Sequence, residues 1–363
     1  MSEQGAATTR GAREQGWSRL LLALAAFLLV PIIPVGGALL PVRDGIVLLV
    51  PALAVCTLLG WWSGGRMLSA TVALVLAGAL LFSGSLARWG AYGTLLRAWA
   101  IVLAGAFGVL SLIDARRPFF GRALSATGMA LVAGLGIATA LRTPPARLER
   151  VVAAQLEQRN DDAVNGLRQL AAEQPHLWAR MTAQYAGPVA PIDGVAEALS
   201  RVSLAGRTAF PALLALQSIA ALALAWAMYH RFSRIRLGPP LAALRDFRFN
   251  DQLVWGLIVG LVIFLLPKLA PGRAAAFMLL RDFGINLLVF FLSLYALRGL
   301  GVLSWALSPR TLTILLGGAF ALALVPLTAG IALPVLLSVL LVAGLLGLAD
   351  TWFDLRRISR PAS

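Results

Sequence analysis

A guanidinium stands well inside the apolar stretch FGINLLVFFLSLYALRGLGVLSWAL, residues 283–307. Apart from Asn286 and Arg298 the stretch is rich in Leu, Val, Phe and Gly. At about 1.5 Å per residue it is long enough to cross roughly 30 Å of hydrocarbon. Burying Arg298 at that depth costs from about 2.5 kcal/mol to several times that, so it either reaches lipid headgroups or has a partner. Farther along, in ADTWFDLRR, Asp350 and Asp354 lie one helical turn apart on one face. The spacing offers Arg298 an ion pair with Asp350 or, as the second choice, with Asp354. In the first case Asp354 is left to bridge Arg357. Such a pair is a clamp between helices rather than a ligand site. In the competing reading Arg298 snorkels and both carboxylates sit in water.

Two further sets of polar residues stand out. Arg281, Asp282 and Asn286 cluster at the start of the same stretch, where Gly284 permits a break. Asn286, and Gln217 in another apolar run, are residues that hydrogen-bond a neighbouring helix, an interaction of about 0.6 kcal/mol. Packing between helices is their first reading and substrate contact the second. The other set is basic. In HRFSRIRLGPPLAALRDFRFND, residues 230–251, Arg231, Arg234, Arg236, Arg245 and Arg248 alternate with prolines and phenylalanines. This suits a segment anchored at lipid headgroups, with docking of a cytoplasmic protein as the alternative.

Several chemistries are disfavoured. No Gly-rich loop ends in Lys-Ser or Lys-Thr, so there is no P-loop. The histidines are His176 and His230, expected on opposite sides of a membrane, and Cys56 stands alone. No serine lies in a nucleophile elbow. The central apolar runs carry essentially no acidic residue for proton coupling. No catalytic residue, metal ligand or cofactor is expected, and the chain reads as a non-enzyme. The formal charge of +15 arises from arginines that punctuate apolar segments. They follow no stripe with interleaved aromatics, so the basicity orients the chain in a bilayer and does not mark nucleic-acid binding.

Composition sets the elements that must hold these groups. Of 363 residues 59% are hydrophobic and only 13% charged, and no segment alternates with the period of a barrel strand. The class is all-α, a polytopic helical membrane protein whose backbone is satisfied within helices. About ten spans are expected, centred on residues 18–34, 45–62, 67–84, 95–114, 120–141, 209–230, 252–268, 284–306, 311–328 and 332–352. The first, followed at once by further spans and lacking a small-residue cleavage site, reads as a retained helix. Most arginines of the short loops fall on one side if both termini are cytoplasmic.

The expected layout is a cytoplasmic tail (1–17), an N-terminal membrane half (18–141), an extracytoplasmic helical cap (142–208), a C-terminal membrane half (209–355) and a cytoplasmic tail (356–363). In the cap, Leu148, Val151, Val152 and Leu156 recur at helical spacing. Asn160, Asp161 and Asp162 are placed to cap a second helix and Gln174-Pro175 to start a third. Pro31, Pro34 and Pro41 can unwind the first span. Gly256 and Gly260 allow close helix packing. PKLAPGRAAAFMLL is too apolar for an ordinary loop and suits an interfacial or re-entrant segment.

From about residue 207 to 358 the chain resembles the bacterial YybS-like multi-pass membrane proteins, whose function is not established. The matching pieces are FPALLALQSIAALALAWAMYHRF, SRIRLGPPLAALRDFRF, NLLVFFLSLYALRGLGVLSWAL and GLADTWFDLRRI, in that order. The resemblance implies a proline soon after Phe-Arg-Phe, where this chain has Asn250-Asp251. It also implies a bacterial inner-membrane location. Two functions stay open. One is a subunit that binds or translocates a small molecule with a separate energising partner, recruited through residues 230–251 or the C-terminal tail. The other is a non-catalytic scaffold for cell-envelope assembly, docking an envelope protein. The lipid bilayer is the common partner, and neither reading sets the oligomeric state.

Overall fold

The computed structural model describes residues 17–140, 142, 144–182, 191–233, 235–269, 278–307, 311, 318 and 329–355, and among these all regular structure is helical. The order is α1 (Trp17–Leu29), a 3-10 turn (Val30–Ile32), α2 (Pro34–Leu39), α3 (Ile46–Trp62), α4 (Met67–Phe82), α5 (Gly84–Ala87), α6 (Gly90–Ile113) and α7 (Phe119–Ala140). There follow α8 (Pro145–Glu173), α9 (Pro175–Thr182), α10 (Pro191–Thr208), α11 (Phe210–Phe232), α12 (Val254–Leu269), α13 (Met278–Ala306) and α14 (Ala329–Phe353).

The segments Gly90–Ile113, Phe119–Ala140, Phe210–Phe232, Asp251–Lys268 and Leu280–Ala306 are long and apolar enough to cross a bilayer. Arg19–Ile32, Ile46–Trp62, Met67–Phe82 and Leu337–Phe353 are shorter apolar helices. The chain is a multi-pass helical membrane protein. The stretch 311–328, expected as a span, lies outside the described residues except for Thr311 and Gly318. So does the greater part of PKLAPGRAAAFMLL, together with Arg234, Arg357 and the residues before Trp17.

Helix α11 is the axis of the bundle. Of its apolar window 72% is buried, against 6% for the window 251–268 that covers most of α12. An apolar helix buried all round needs small and large residues alternating around it, and α11 supplies Ala212, Ala215, Ala221 and Ala225 among Leu222, Trp226 and Tyr229. It packs on α3, α7 and α13.

Helix α13 in turn lies between α12 and α14. Its contact with α14 is backbone to backbone: a Cβ on Gly299 would fall 1.8 Å from the Ala343 carbonyl oxygen, and one on Gly347 1.9 Å from that of Tyr295. Gly284 does not break α13. The helix runs through it, and Gly284 sits against α12, where a Cβ would be 2.8 Å from the Phe264 nitrogen. Gly256 and Gly260 face the same helix pair from the other side.

The first span breaks where its prolines stand. After α1 the chain makes a 3-10 turn through Pro31, restarts as α2 at Pro34 and leaves helical conformation from Leu40 to Gly45. Helices α8 and α10 pack together and on α2, burying Val164, Leu167, Val195, Leu199 and Val202 with Val35 and Ala38. This small cap has its own apolar centre. Asn160, Asp161 and Asp162 do not start a helix there. Helix α8 passes through them unbroken for 29 residues, because Val152, Leu156, Val164 and Leu167 hold one buried face on both sides of the acidic pair. Helix α9 does start at Pro175.

Candidate functional site

At the end of the bundle opposite the cap, all three guanidinium nitrogens of Arg298 are engaged. Nε lies 2.9 Å from Asp350 Oδ2, and Nη2 donates to the Asp350 carbonyl at 3.2 Å. Nη1 lies 2.6 Å from Asp251 Oδ1. The Arg298 and Asp350 side chains are 4% and 0% exposed, whereas Asp251 is 63% exposed. The guanidinium also lies 5.6 Å from the centre of the Phe249 ring. Burial of an arginine in apolar surroundings is tolerable in such a site because each of its three nitrogens is directed to a carboxylate or a carbonyl.

Asp354 takes another partner, Arg248, at 2.5 Å. Two ion pairs thus tie the segment before α12 to α13 and α14. Asn250 and Asp251, where a proline was expected, do this jointly. The Asn250 side chain accepts from the Gln252 N–H and starts the 3-10 turn Asp251–Leu253, and the turn carries Asp251 to Arg298.

The basic loop folds onto the protein through its aromatic residues. Phe249 packs edge-on against Tyr295 at 5.1 Å, and Phe247 against Phe120 at 5.2 Å. Arg236 and Arg245 remain exposed, Arg245 near Asp246 at 3.5 Å. Arg231 lies over the Trp17 ring at 5.9 Å.

Gln217 and Asn286 both bond to backbone, at two separate breaks. The Gln217 amide accepts from the Val42 N–H at 3.0 Å and donates to the Val42 carbonyl at 2.7 Å. Non-helical backbone inside a membrane bundle persists only where protein groups satisfy it. The segment 40–45 meets that demand with Gln217, with the Tyr92 hydroxyl donating to the Pro41 carbonyl, and with Arg159 donating to the carbonyls of Pro41 (2.9 Å) and Leu40 (3.3 Å).

The Asn286 amide accepts from Ala212 N–H at 3.0 Å and donates to the Thr208 carbonyl at 2.8 Å. Those two groups would bond to each other in a continuous helix. Pro211 interrupts the ladder between α10 and α11, and Asn286 fills the gap. Arg281 and Asp282 present exposed side chains, and the Asp282 carbonyl accepts a further bond from Asn286. Gln217 and Asn286 therefore repair backbone at two different places.

Among the described residues an open cavity lies elsewhere, at the capped end. It holds about 490 Å³ and is walled by the end of the first helix, the unwound segment, the turn before α6 and helix α8. Its polar groups are Arg43, Arg88 and Arg159, opposed by Asp44 and Asp162, with the amides of Gln155 and Gln158. Trp89, Leu28, Ile32 and Ile46 make the apolar part.

Arg159 lines the cavity from a largely buried position, its guanidinium 5.3 Å from the Tyr92 ring centre. Burial draws its pKa down from the ordinary guanidinium value, with the Tyr92 hydroxyl acting in the opposite sense. None of these cavity residues stands out in the sequence as a site. The one local signal is Arg159, a charge in helical phase with Val152 and Leu156 on the buried face of α8.

Residues 200–351 match a family model described as a predicted membrane protein, DUF2232. This segment runs from the last turns of α10 to Asp350 and its neighbour Thr351. It contains Gln217, Asp251, Asn286, Arg298 and Asp350, whereas the cavity at the capped end is built from residues before it. No curated protein and no solved structure matches the chain.

Proposed function

We propose that this chain is a non-enzymatic subunit of a bacterial inner membrane, akin to the YybS-like proteins, that binds a small polar molecule at its extracytoplasmic capped end. A separate partner supplies any energy for movement of the ligand. The observation that carries this reading is the 490 Å³ cavity with Arg43, Arg88 and Arg159 around an unwound backbone segment. A pocket of this size with an apolar wall and a few directed polar groups suits a small ligand. Three guanidinium groups against two carboxylates favour one that carries an anionic group. Unwound segments beside a half-helix are also the usual setting of substrate sites in membrane transporters. Both termini are assigned to the cytoplasm, as the distribution of arginines favours, and Arg236 and Arg245 are the exposed cations offered to a partner there.

The test is native mass spectrometry of the full chain released from its own membranes, followed by identification of what it retains. A recurrent anionic small molecule that is lost in Arg43→Gln and Arg88→Gln supports binding at the cavity. Both side chains are exposed, so the variants should fold. Retention of the same molecule by both variants would sink the assignment.

The alternative is a scaffold for cell-envelope assembly, and one observation favours it: Gln217, Asn286 and Arg298 are all occupied by the protein itself. Envelope-synthesis proteins recovered in fixed ratio, with no small molecule, would select that reading.

A further inference from the structure

Among the described residues one guanidinium is buried with no hydrogen-bond acceptor. Arg122, on the first turn of α7, is 1% exposed, and its Nε, Nη1 and Nη2 make no hydrogen bond. It stacks on Trp226 at 4.4 Å from the ring centre and lies 5.8 Å from that of Phe107. His230, 7% exposed, lies against the same indole at 4.8 Å, and neither of its ring nitrogens has a partner. Buried polar groups are satisfied in the great majority of cases, and charged ones almost without exception. Arg298, equally buried, shows how this protein satisfies a guanidinium when it serves architecture. Arg122 is not treated so.

The surroundings are cationic. Asp114 is the carboxylate that faces Arg122, but no ion pair forms between them, and its Oδ1 accepts from the Arg117 N–H at 3.2 Å. Arg236 and Arg122 are the charges that face His230. A short strap covers the group. Trp226 Nε1 donates to the Pro239 carbonyl at 3.1 Å, and the Tyr229 hydroxyl accepts from the Leu237 N–H at 2.9 Å. Between them Gly238, at φ +73°, passes directly over the guanidinium: a Cβ there would be 3.2 Å from Arg122 Nη2 and 2.5 Å from the Ala115 carbonyl oxygen. The strap is thus held by a few hydrogen bonds, and its glycine permits both the turn and the close approach.

We propose that Arg122 and His230 form a binding site for a phosphate group, admitted when the strap 235–240 lifts and closed over when it settles. A guanidinium with unused donors is suited to two parallel bonds with a tetrahedral oxyanion, and His230, which lies against the same indole and has no partner for either ring nitrogen, adds a further donor. The phosphate comes from a lipid headgroup or from a soluble phosphate compound. The site lies at the opposite end from the cavity at the cap and does not depend on the function assigned to it.

The test uses the full chain in two preparations: lipid-free detergent, and nanodiscs of phosphatidylcholine with or without phosphatidylglycerol. Inorganic phosphate is titrated against chloride at constant ionic strength, while hydrogen exchange is followed at Leu237 and Gly238. The expected result is a saturable slowing of exchange by at least about fivefold in wild type, absent in Arg122→Gln. Slowing by phosphate in detergent assigns a soluble source. Slowing only with phosphatidylglycerol, with that lipid retained in native mass spectra of wild type and lost in Arg122→Gln, assigns a headgroup. The wild-type titrations need no variant, so a poorly folded Arg122→Gln leaves the test intact. Exchange at the strap indifferent to both phosphate and phosphatidylglycerol would overturn the proposal and leave Arg122 as a stacking residue.

Discussion

Arg298 on α13 and Asp350 on α14 form a buried ion pair across a helix contact so close that Gly299 and Gly347 leave no room for a Cβ. The short approach and the pair support each other: the glycines bring the backbones together, and the guanidinium reaches both the carboxylate and the carbonyl of Asp350. Removing one partner leaves the other charged in a place without water. Arg298→Ala or Asp350→Ala should each lower stability by about 3–5 kcal/mol, and Arg298→Met with Asp350→Leu should recover most of it. Reversible denaturation of the purified protein measures this. Single variants as stable as wild type would remove the clamp from the account.

The outer ion pairs should behave differently. Arg248 and Asp354 are partly exposed, as is Asp251. Asp354→Asn and Asp251→Asn should each cost no more than about 1 kcal/mol, and less at high salt. A loss as large as that of Asp350→Ala would mean that the segment before α12 is held chiefly by charge and not by Phe247 and Phe249.

Asn286 stands in for the helical hydrogen bond between the Ala212 N–H and the Thr208 carbonyl, which is open at the junction of α10 and α11 beside Pro211. Asn286→Leu leaves the Thr208 carbonyl and the Ala212 N–H without their partner and should cost about 1–3 kcal/mol. In a Pro211→Ala background the two backbone groups can move toward each other, so the cost should shrink. A double-mutant cycle reads this coupling, and strict additivity would argue against the substitution of one bond for the other.

Gln217 holds the unwound segment at Val42. Gln217→Leu removes an acceptor and a donor together, so amide exchange at Val42 should rise by about tenfold or more, in line with one lost bond of roughly 1.5 kcal/mol. Tyr92→Phe, which removes one acceptor's partner at Pro41, should have a smaller effect in the same assay.

Much of the fold is a property of single segments. A run such as that of α11 or α13 must be helical, because a bilayer leaves each backbone group to find its partner within the segment. The depth of Arg298 and the shared face of Asp350 and Asp354 follow from the helical repeat alone. Proline positions likewise mark the break of the first span at Pro31, Pro34 and Pro41. Less was legible where two periodic signals compete: Asn160, Asp161 and Asp162 look like a helix cap, yet the buried face of α8 continues through them. Gly284 looks like a break and is a packing contact.

The sequence by itself therefore determined a multi-pass helical membrane protein and the residues that need partners, since hydrophobicity and the 3.6-residue repeat act over a few turns. Tertiary structure decided which partners they find. Gln217 meets Val42 across 175 residues, Asp251 and not Asp354 completes the shell of Arg298, and the cavity at the cap is assembled from four separated segments. Nothing local distinguishes Arg159 at that cavity, or Arg122 beneath its strap, from arginines at the bilayer surface. Their burial depends on how distant helices pack, and helix packing is written in the joint arrangement of segments rather than in any one of them.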